Sequence, residues 1–159
     1  MTMKKPSIYV ETSVFSYYFK ANDPAVRTEY ELTVQWWTNL RRQFNLFTSI
    51  WTLGELKEGV FDDQKEMIAL AESIPLLSTV QDIDDIVDVY LRHFVMPKND
   101  PADAFHLAYA SFYKMDFLLT WNCAHIANPR KFQHIRIVNA KMGLLTPDLV
   151  TPYDMVKGA

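Results

Sequence analysis

Three acids and one amide occupy positions from which their side chains could act on a common substrate. Glu11 follows a short apolar run, 7–10, and Glu55 lies one turn into the segment after a second run, 44–50. Asp103 stands near the start of a helical stretch that opens at Asp100, and Asn122 comes just past a third apolar run, 116–120. Carboxylates gathered without an arginine among them repel one another unless a cation lies between them. Oxygen donors favour a hard ion, Mg2+ or Mn2+, over zinc, and no Cys/His spacing in the chain resembles a zinc site. Such an ion polarises a phosphate and lowers the pKa of an attacking water.

Most of these residues also have a plain local reading. Asp100 suits the N-cap of a helix, with Pro101 at the first helical position. Asp103 would then sit in the first turn, where an acid complements the helix dipole. Thr52-x-x-Glu55 matches a capping box, and Asn122 fits a turn. Glu11 is different: an acid closing a buried strand, with no basic neighbour in sequence, has no local structural task. His106, His125 and His134 read as packing or surface residues. Trp36, Trp37, Trp51 and Trp121 read as core rather than as base-stacking platforms.

The elements that must position the acids follow from pattern. Apolar, β-branched runs at 7–10, 44–50 and 116–120 read as buried strands, with shorter ones at 76–79 and 149–150. Helical spacing covers 14–19, 26–42, 51–60, 63–73, 83–95 and 100–115, and Asn128-Pro129 opens another helix. Ser13 or Thr12 would cap the first of these. Ile83, Ile86 or Val87, Tyr90 and Phe94 are expected on one buried face. Strands alternating with helices imply an α/β fold whose mainly parallel sheet is covered on both faces. In such sheets a site lies beyond the carboxyl ends of the strands, where the four residues would meet.

Composition limits the classes. A chain of 159 residues is expected to form a single domain spanning 1–159 with a sizeable core. The apolar share of 49% argues against disorder, yet no apolar run approaches a membrane span. The apolar stretch after Lys4-Lys5 is too short for a signal peptide and meets an acid at Glu11. A single cysteine, Cys123, fits the reducing cytoplasm. The net charge of −3 means that a nucleic-acid site must be local or depend on metal ions.

Four ordered blocks carry a family resemblance: YVETSVFSYY at 9–18, TSIWTLGELKEG at 48–59, the stretch 100–128 from DPADAFHLAYA to TWNCAHIAN, and LVTPYDM at 149–155. Together they resemble PIN-domain proteins of the VapC type, the ribonuclease toxins of toxin–antitoxin modules. The resemblance implies a three-layer α/β/α PIN-like domain. It implies Mg2+- or Mn2+-dependent hydrolysis of RNA, frequent homodimers and a cognate antitoxin protein that blocks the site. Carried onto this chain, it makes Glu11, Glu55 and Asp103 the metal ligands and Asn122, with Ser13 or Thr120, the group that orients water or phosphate. Two departures stand out. The strand-ending acid is usually Asp rather than Glu11, and the loop position often carries Asp rather than Asn122. They keep open a weakened PIN domain that binds RNA or protein without cutting. A metal-dependent phosphatase is disfavoured because its Asp-x-Asp-x-Thr motif is absent.

Overall fold

The computed structural model describes residues 4–158. Four short strands form one sheet: β1 (Ser7–Val10), β2 (Asn45–Phe47), β3 (Phe117–Leu119) and β4 (Asp148–Val150). Their order is β2-β1-β3-β4, and every pairing is parallel. The helices are α1 (Thr12–Tyr17), α2 (Arg27–Gln35), α3 (Ile50–Glu58), α4 (Gln64–Glu72), α5 (Gln81–Arg92), α6 (Ala102–Phe112), α7 (Pro129–Lys141) and α8 (Pro152–Lys157).

Successive strand residues point to opposite faces, and the core divides accordingly. Tyr9 and Leu118 pack with Ile83, Tyr90, Leu107 and Ile135 of α5, α6 and α7. Ile8, Val10 and Leu119 pack on the other face with Phe15, Trp36, Leu56 and Met67. Helices therefore cover both faces, giving the three-layer α/β/α arrangement expected from the alternation. Parallel pairing places the carboxyl ends of β1 and β3 side by side, with Val10 opposite Leu119. Whatever follows these two residues must share one edge of the sheet.

Several local expectations are corrected. Asp100 does not cap α6. Its amide closes a turn onto the Pro97 carbonyl at 3.3 Å, Pro101 takes the cap position without a side-chain bond, and the helix starts at Ala102. Thr52 and Glu55 form no capping box, because α3 begins earlier, where the Ser49 side chain accepts from the Trp51 amide. Glu11, not Ser13 or Thr12, caps α1. The helical run 26–42 is interrupted by a π-helical turn, Trp36–Leu40, where the adjacent Trp36 and Trp37 are both buried. The expected strand 76–79 reduces to one bridge, Thr48 to Leu76. Phe94 is 75% exposed, because α5 ends at Arg92 and Phe94 turns into the left-handed region at φ 57°.

A buried polar network ties α5, α6 and α7 together. Asn139 donates to Ser111 at 3.0 Å and Thr146 at 2.9 Å, and accepts from the Tyr90 hydroxyl at 2.6 Å. Asn139→Ala leaves buried partners unsatisfied and should cost about 2–4 kcal/mol in chemical denaturation. Asp100→Ala should stay within about 0.5 kcal/mol of the parent, whereas loss of a working N-cap costs about 1 kcal/mol. A loss of that size at Asp100 would restore it as the cap of α6.

Candidate functional site

The Glu11 amide continues the ladder by donating to the Leu119 carbonyl at 3.0 Å, which fixes the residue at the sheet edge. Its side chain then turns back as the N-cap of α1. Oε1 accepts from the Ser13 amide at 3.0 Å, the Ser13 hydroxyl at 2.5 Å and the Thr120 hydroxyl at 2.8 Å. Glu11 is only 5% exposed. Burial pushes its carboxyl above the ordinary value; nearby His106 and the hydrogen bonds from Ser13 and Thr120 offset part of that rise.

Glu55 projects from α3 toward the same edge. Its Oε1 accepts from the Thr12 hydroxyl at 2.7 Å and pairs with His106 Nε2 at 2.5 Å. Burial alone would raise the Glu55 carboxyl, but the His106 bond and charge and the Thr12 bond outweigh it and hold it below its ordinary value. His106 is fully buried, and its Nδ1 meets the Tyr9 hydroxyl at 2.7 Å, which in turn meets the Ser49 hydroxyl at 2.7 Å. Burial disfavours the imidazolium, yet Tyr9, the Glu55 hydrogen bond and the charges of Glu11 and Glu55 hold the His106 pKa well above the usual value.

Asp103 lies in the first turn of α6. Its Oδ2 accepts from the Asn122 amide at 2.8 Å and meets His125 Nδ1 at 2.8 Å. Burial raises its carboxyl, against the lowering effects of His125 and His106. Thr120 Oγ1 joins the two halves: it donates to Glu11 and accepts from the Asn122 backbone amide at 2.9 Å.

The four residues expected at the site thus lie along one connected edge, but not as a single cluster. Glu11, Glu55 and His106 offer potential ligand atoms within 4.8 Å of one another, while Asp103 groups with Asp100 and His125. Sequence reasoning passed over both histidines. The available signal was spacing: His106 lies three residues after Asp103 on a helix, on the same face. Ser13 and Thr120, expected to orient water or phosphate, have their hydroxyls directed to Glu11 instead.

The donor set fits a hard divalent ion. Each acid is anchored through one oxygen; Glu11 Oε2, Glu55 Oε2 and Asp103 Oδ1 have no hydrogen-bond partner among the described residues. Among those residues, the side chains that pair with these acids as potential cations are histidines, and no lysine or arginine forms such a pair. Carboxylate oxygens left without a protein partner suit a hard divalent ion.

Parallel strand order, helices on both faces and acids at the carboxyl edge define the PIN-type fold that the sequence blocks resemble. A solved structure with this fold is VapC20 of Mycobacterium tuberculosis, described as a Sarcin-Ricin loop cleaving toxin. It superposes with a TM-score of 0.59 at 15% identity, over 75% of this chain and 92% of that one. No protein-family model and no curated protein matches the sequence.

The burial of Glu11 sets a pH dependence. Its folded pKa lies above the ordinary 4.5, so the folded protein keeps a proton that the unfolded chain has released. The stability linked to that proton is fully present below the unfolded value and is lost as pH rises through the folded one. His106, raised above its ordinary 6.5, acts with the same sign. Metal-free protein should therefore melt at a higher temperature as pH falls from neutral toward 4.5. Glu11→Gln should make that rise smaller. Identical pH profiles for the two proteins would show that Glu11 carries no such penalty.

Proposed function

We propose that this protein is a metal-dependent endoribonuclease that hydrolyses RNA phosphodiester bonds, acting in the cytoplasm as the toxin of a type II toxin–antitoxin module. The observation that carries the reading is the grouping of Glu11 and Glu55 at the sheet edge, with ligand atoms within 4.8 Å of one another and, among the described residues, no lysine or arginine bonded to either acid. The fold shared with a toxin described as cleaving the Sarcin-Ricin loop supports the same reading.

In this proposal Glu11, Glu55 and Asp103 hold Mg2+ or Mn2+, and Glu11, Glu55, Asp103 and Asn122 form the catalytic set. The bound ion supplies Lewis acidity toward the phosphate and a lowered pKa for the attacking water. The protein's own groups set the geometry. Ser13 and Thr120 fix the Glu11 carboxylate, and Thr12 and His106 fix that of Glu55. Asn122 and His125 fix Asp103 through Oδ2, and its other oxygen would bind an ion directly or through water. A cognate antitoxin would block this edge. The partly exposed Trp51–Phe105 stack, with rings 3.9 Å apart, and Ile50, 51% exposed, would form part of a homodimer contact.

A second reading has an observation in its favour. The Asn122 amide donates to Asp103, so the loop brings no fourth charge. A PIN-like domain so weakened would bind RNA or protein without cutting.

Purified protein should cleave single-stranded RNA with Mg2+ or Mn2+ and stop with chelator. Asp103→Asn removes a ligand charge while keeping the shape and should lower the rate at least about 10-fold, the minimum expected even for groups that only orient a ligand. Glu11→Asp withdraws the carboxylate by about 1.5 Å and should shift the rate or the Mg2+/Mn2+ preference. Cleavage that persists in chelator, or is unchanged in Asp103→Asn, would place catalysis elsewhere. Mg2+ binding without cleavage of any RNA would favour the second reading.

Mg2+ should also raise the melting temperature of the parent by mass action, and Asp103→Asn should blunt that rise. No Mg2+-dependent shift at millimolar concentration in the parent would remove the ion from the proposal.

A further inference from the structure

Beside the acids lies a cavity that they do not use. It has a volume of about 650 Å3, within the range of ligand pockets, and opens between α2, the loop after β3, α7 and α8. Trp121, Phe132, Tyr153 and Leu32 give it an apolar, aromatic lining, and Glu29 and Asp154 add two carboxylates.

Its aromatic wall is fixed in place. The Trp121 backbone amide donates to the Ser13 hydroxyl at 2.8 Å, and its indole N–H donates to Thr33 at 2.8 Å. Tyr17 meets the Trp121 ring edge-on, with centroids 6.0 Å apart. Ser13 is also the donor to Glu11, so the wall is two hydrogen bonds from the candidate metal centre. A rigid aromatic wall loses little entropy when a planar group stacks on it.

The acids in the cavity are available as acceptors. Glu29 has no side-chain hydrogen bond among those of the described residues. Asp154 uses Oδ2 to accept from the Thr151 amide, which leaves Oδ1. Carboxylates repel phosphate, so the cavity suits a base rather than the backbone. Arg130, exposed and next in sequence to Pro129 of the lining, is the cation nearest in sequence for a flanking phosphate, whereas Lys131 turns its ammonium to Met96 Sδ at 3.8 Å.

We infer that this cavity is a subsite for one unpaired guanine next to the bond to be cut, stacked on Trp121 or Tyr153 with its Watson–Crick edge toward the two carboxylate oxygens of Glu29. The inference deepens the ribonuclease proposal and takes its substrate class from it. Unpaired RNA bases are read by aromatic stacking and by hydrogen bonds to that edge. Guanine alone presents two adjacent N–H donors there, N1–H and the N2 amino group, which match the two oxygens of one carboxylate. Uracil offers one such donor. Adenine and cytosine each offer an amino group beside a ring acceptor, which a carboxylate repels.

The test is equilibrium binding in excess EDTA, so that it does not depend on cleavage. The probes are labelled pentauridine and the same oligomer with a central G, A or C, followed by fluorescence anisotropy on the full chain. The central-G probe should bind about tenfold more tightly than the other three, the discrimination expected of one bidentate contact. Glu29→Gln should bring the central-G probe to within about twofold of the central-A probe. Trp121→Ala should weaken all four, and if it fails to fold the acid variant still decides. Equal affinity for the four probes, no binding of any, or a guanine preference that survives the acid variant each overturn the subsite. A guanine preference in EDTA without cleavage in Mg2+ would sink the ribonuclease reading and leave the subsite standing. Cleavage in Mg2+ without base preference would do the reverse.

Discussion

Taking the Glu11 carboxylate out of water costs several kcal/mol unless protein groups replace its lost hydration. The replacements come from both sides of the sheet edge. Ser13 supplies an amide and a hydroxyl from the first turn of α1, and Thr120 supplies a hydroxyl from the end of β3. Satisfying this one oxygen therefore fixes how α1 leaves β1 and how the chain leaves β3. The Ser13 hydroxyl also accepts from the Trp121 amide, and Thr120 also accepts from the Asn122 amide. The loop that carries Asn122 and His125 is thus held by the same few groups that solvate Glu11.

The acids of the site are paired with histidines. His106 lies under Glu55, backed by Tyr9 and Ser49, and His125 lies against Asp103. Each holds one carboxylate oxygen in a fixed direction, and the other oxygen has no hydrogen-bond partner among the described residues. The pattern matches the way outer groups orient ligands around metal centres. It also explains why α6 is buried on nearly all sides: Asp103 and His106 face the site, while Leu107, Ala108 and Tyr109 fill the core beside β1 and β3.

The layered fold was legible because its signals are strong and local. Short apolar runs alternating with helical stretches admit few arrangements, and parallel order fixes the shared edge. Glu11, Glu55, Asp103 and Asn122 could be singled out because each follows or precedes a strand at that edge. What could not be read were the groups chosen by three-dimensional proximity. Tyr9 looks like a core residue, and its hydroxyl matters only because Ser49 and His106 converge on it from distant segments. His106 looks like packing until α3 brings Glu55 to it. The caps were misread for a related reason. Asp100 and Thr52 are good cap types, but Ser49 and the turn at Pro97 set the helix starts first.

The use of Glu rather than Asp at position 11 follows from these contacts. Helix caps favour short side chains such as Ser, Thr, Asp and Asn, so a Glu at the N-cap calls for a reason. Here the carboxylate has two tasks. Oε1 turns back to the Ser13 amide to start α1, and the carboxylate also lies within 4.8 Å of potential ligand atoms of Glu55 and His106. The longer side chain lets one oxygen accept from the Ser13 amide and hydroxyl in the first turn of α1. Thr120 then takes up the inner side of the same oxygen and closes the gap to β3. The cap of α1 and the candidate centre share this one carboxylate, so the start of α1 and the geometry of the candidate centre cannot be altered independently.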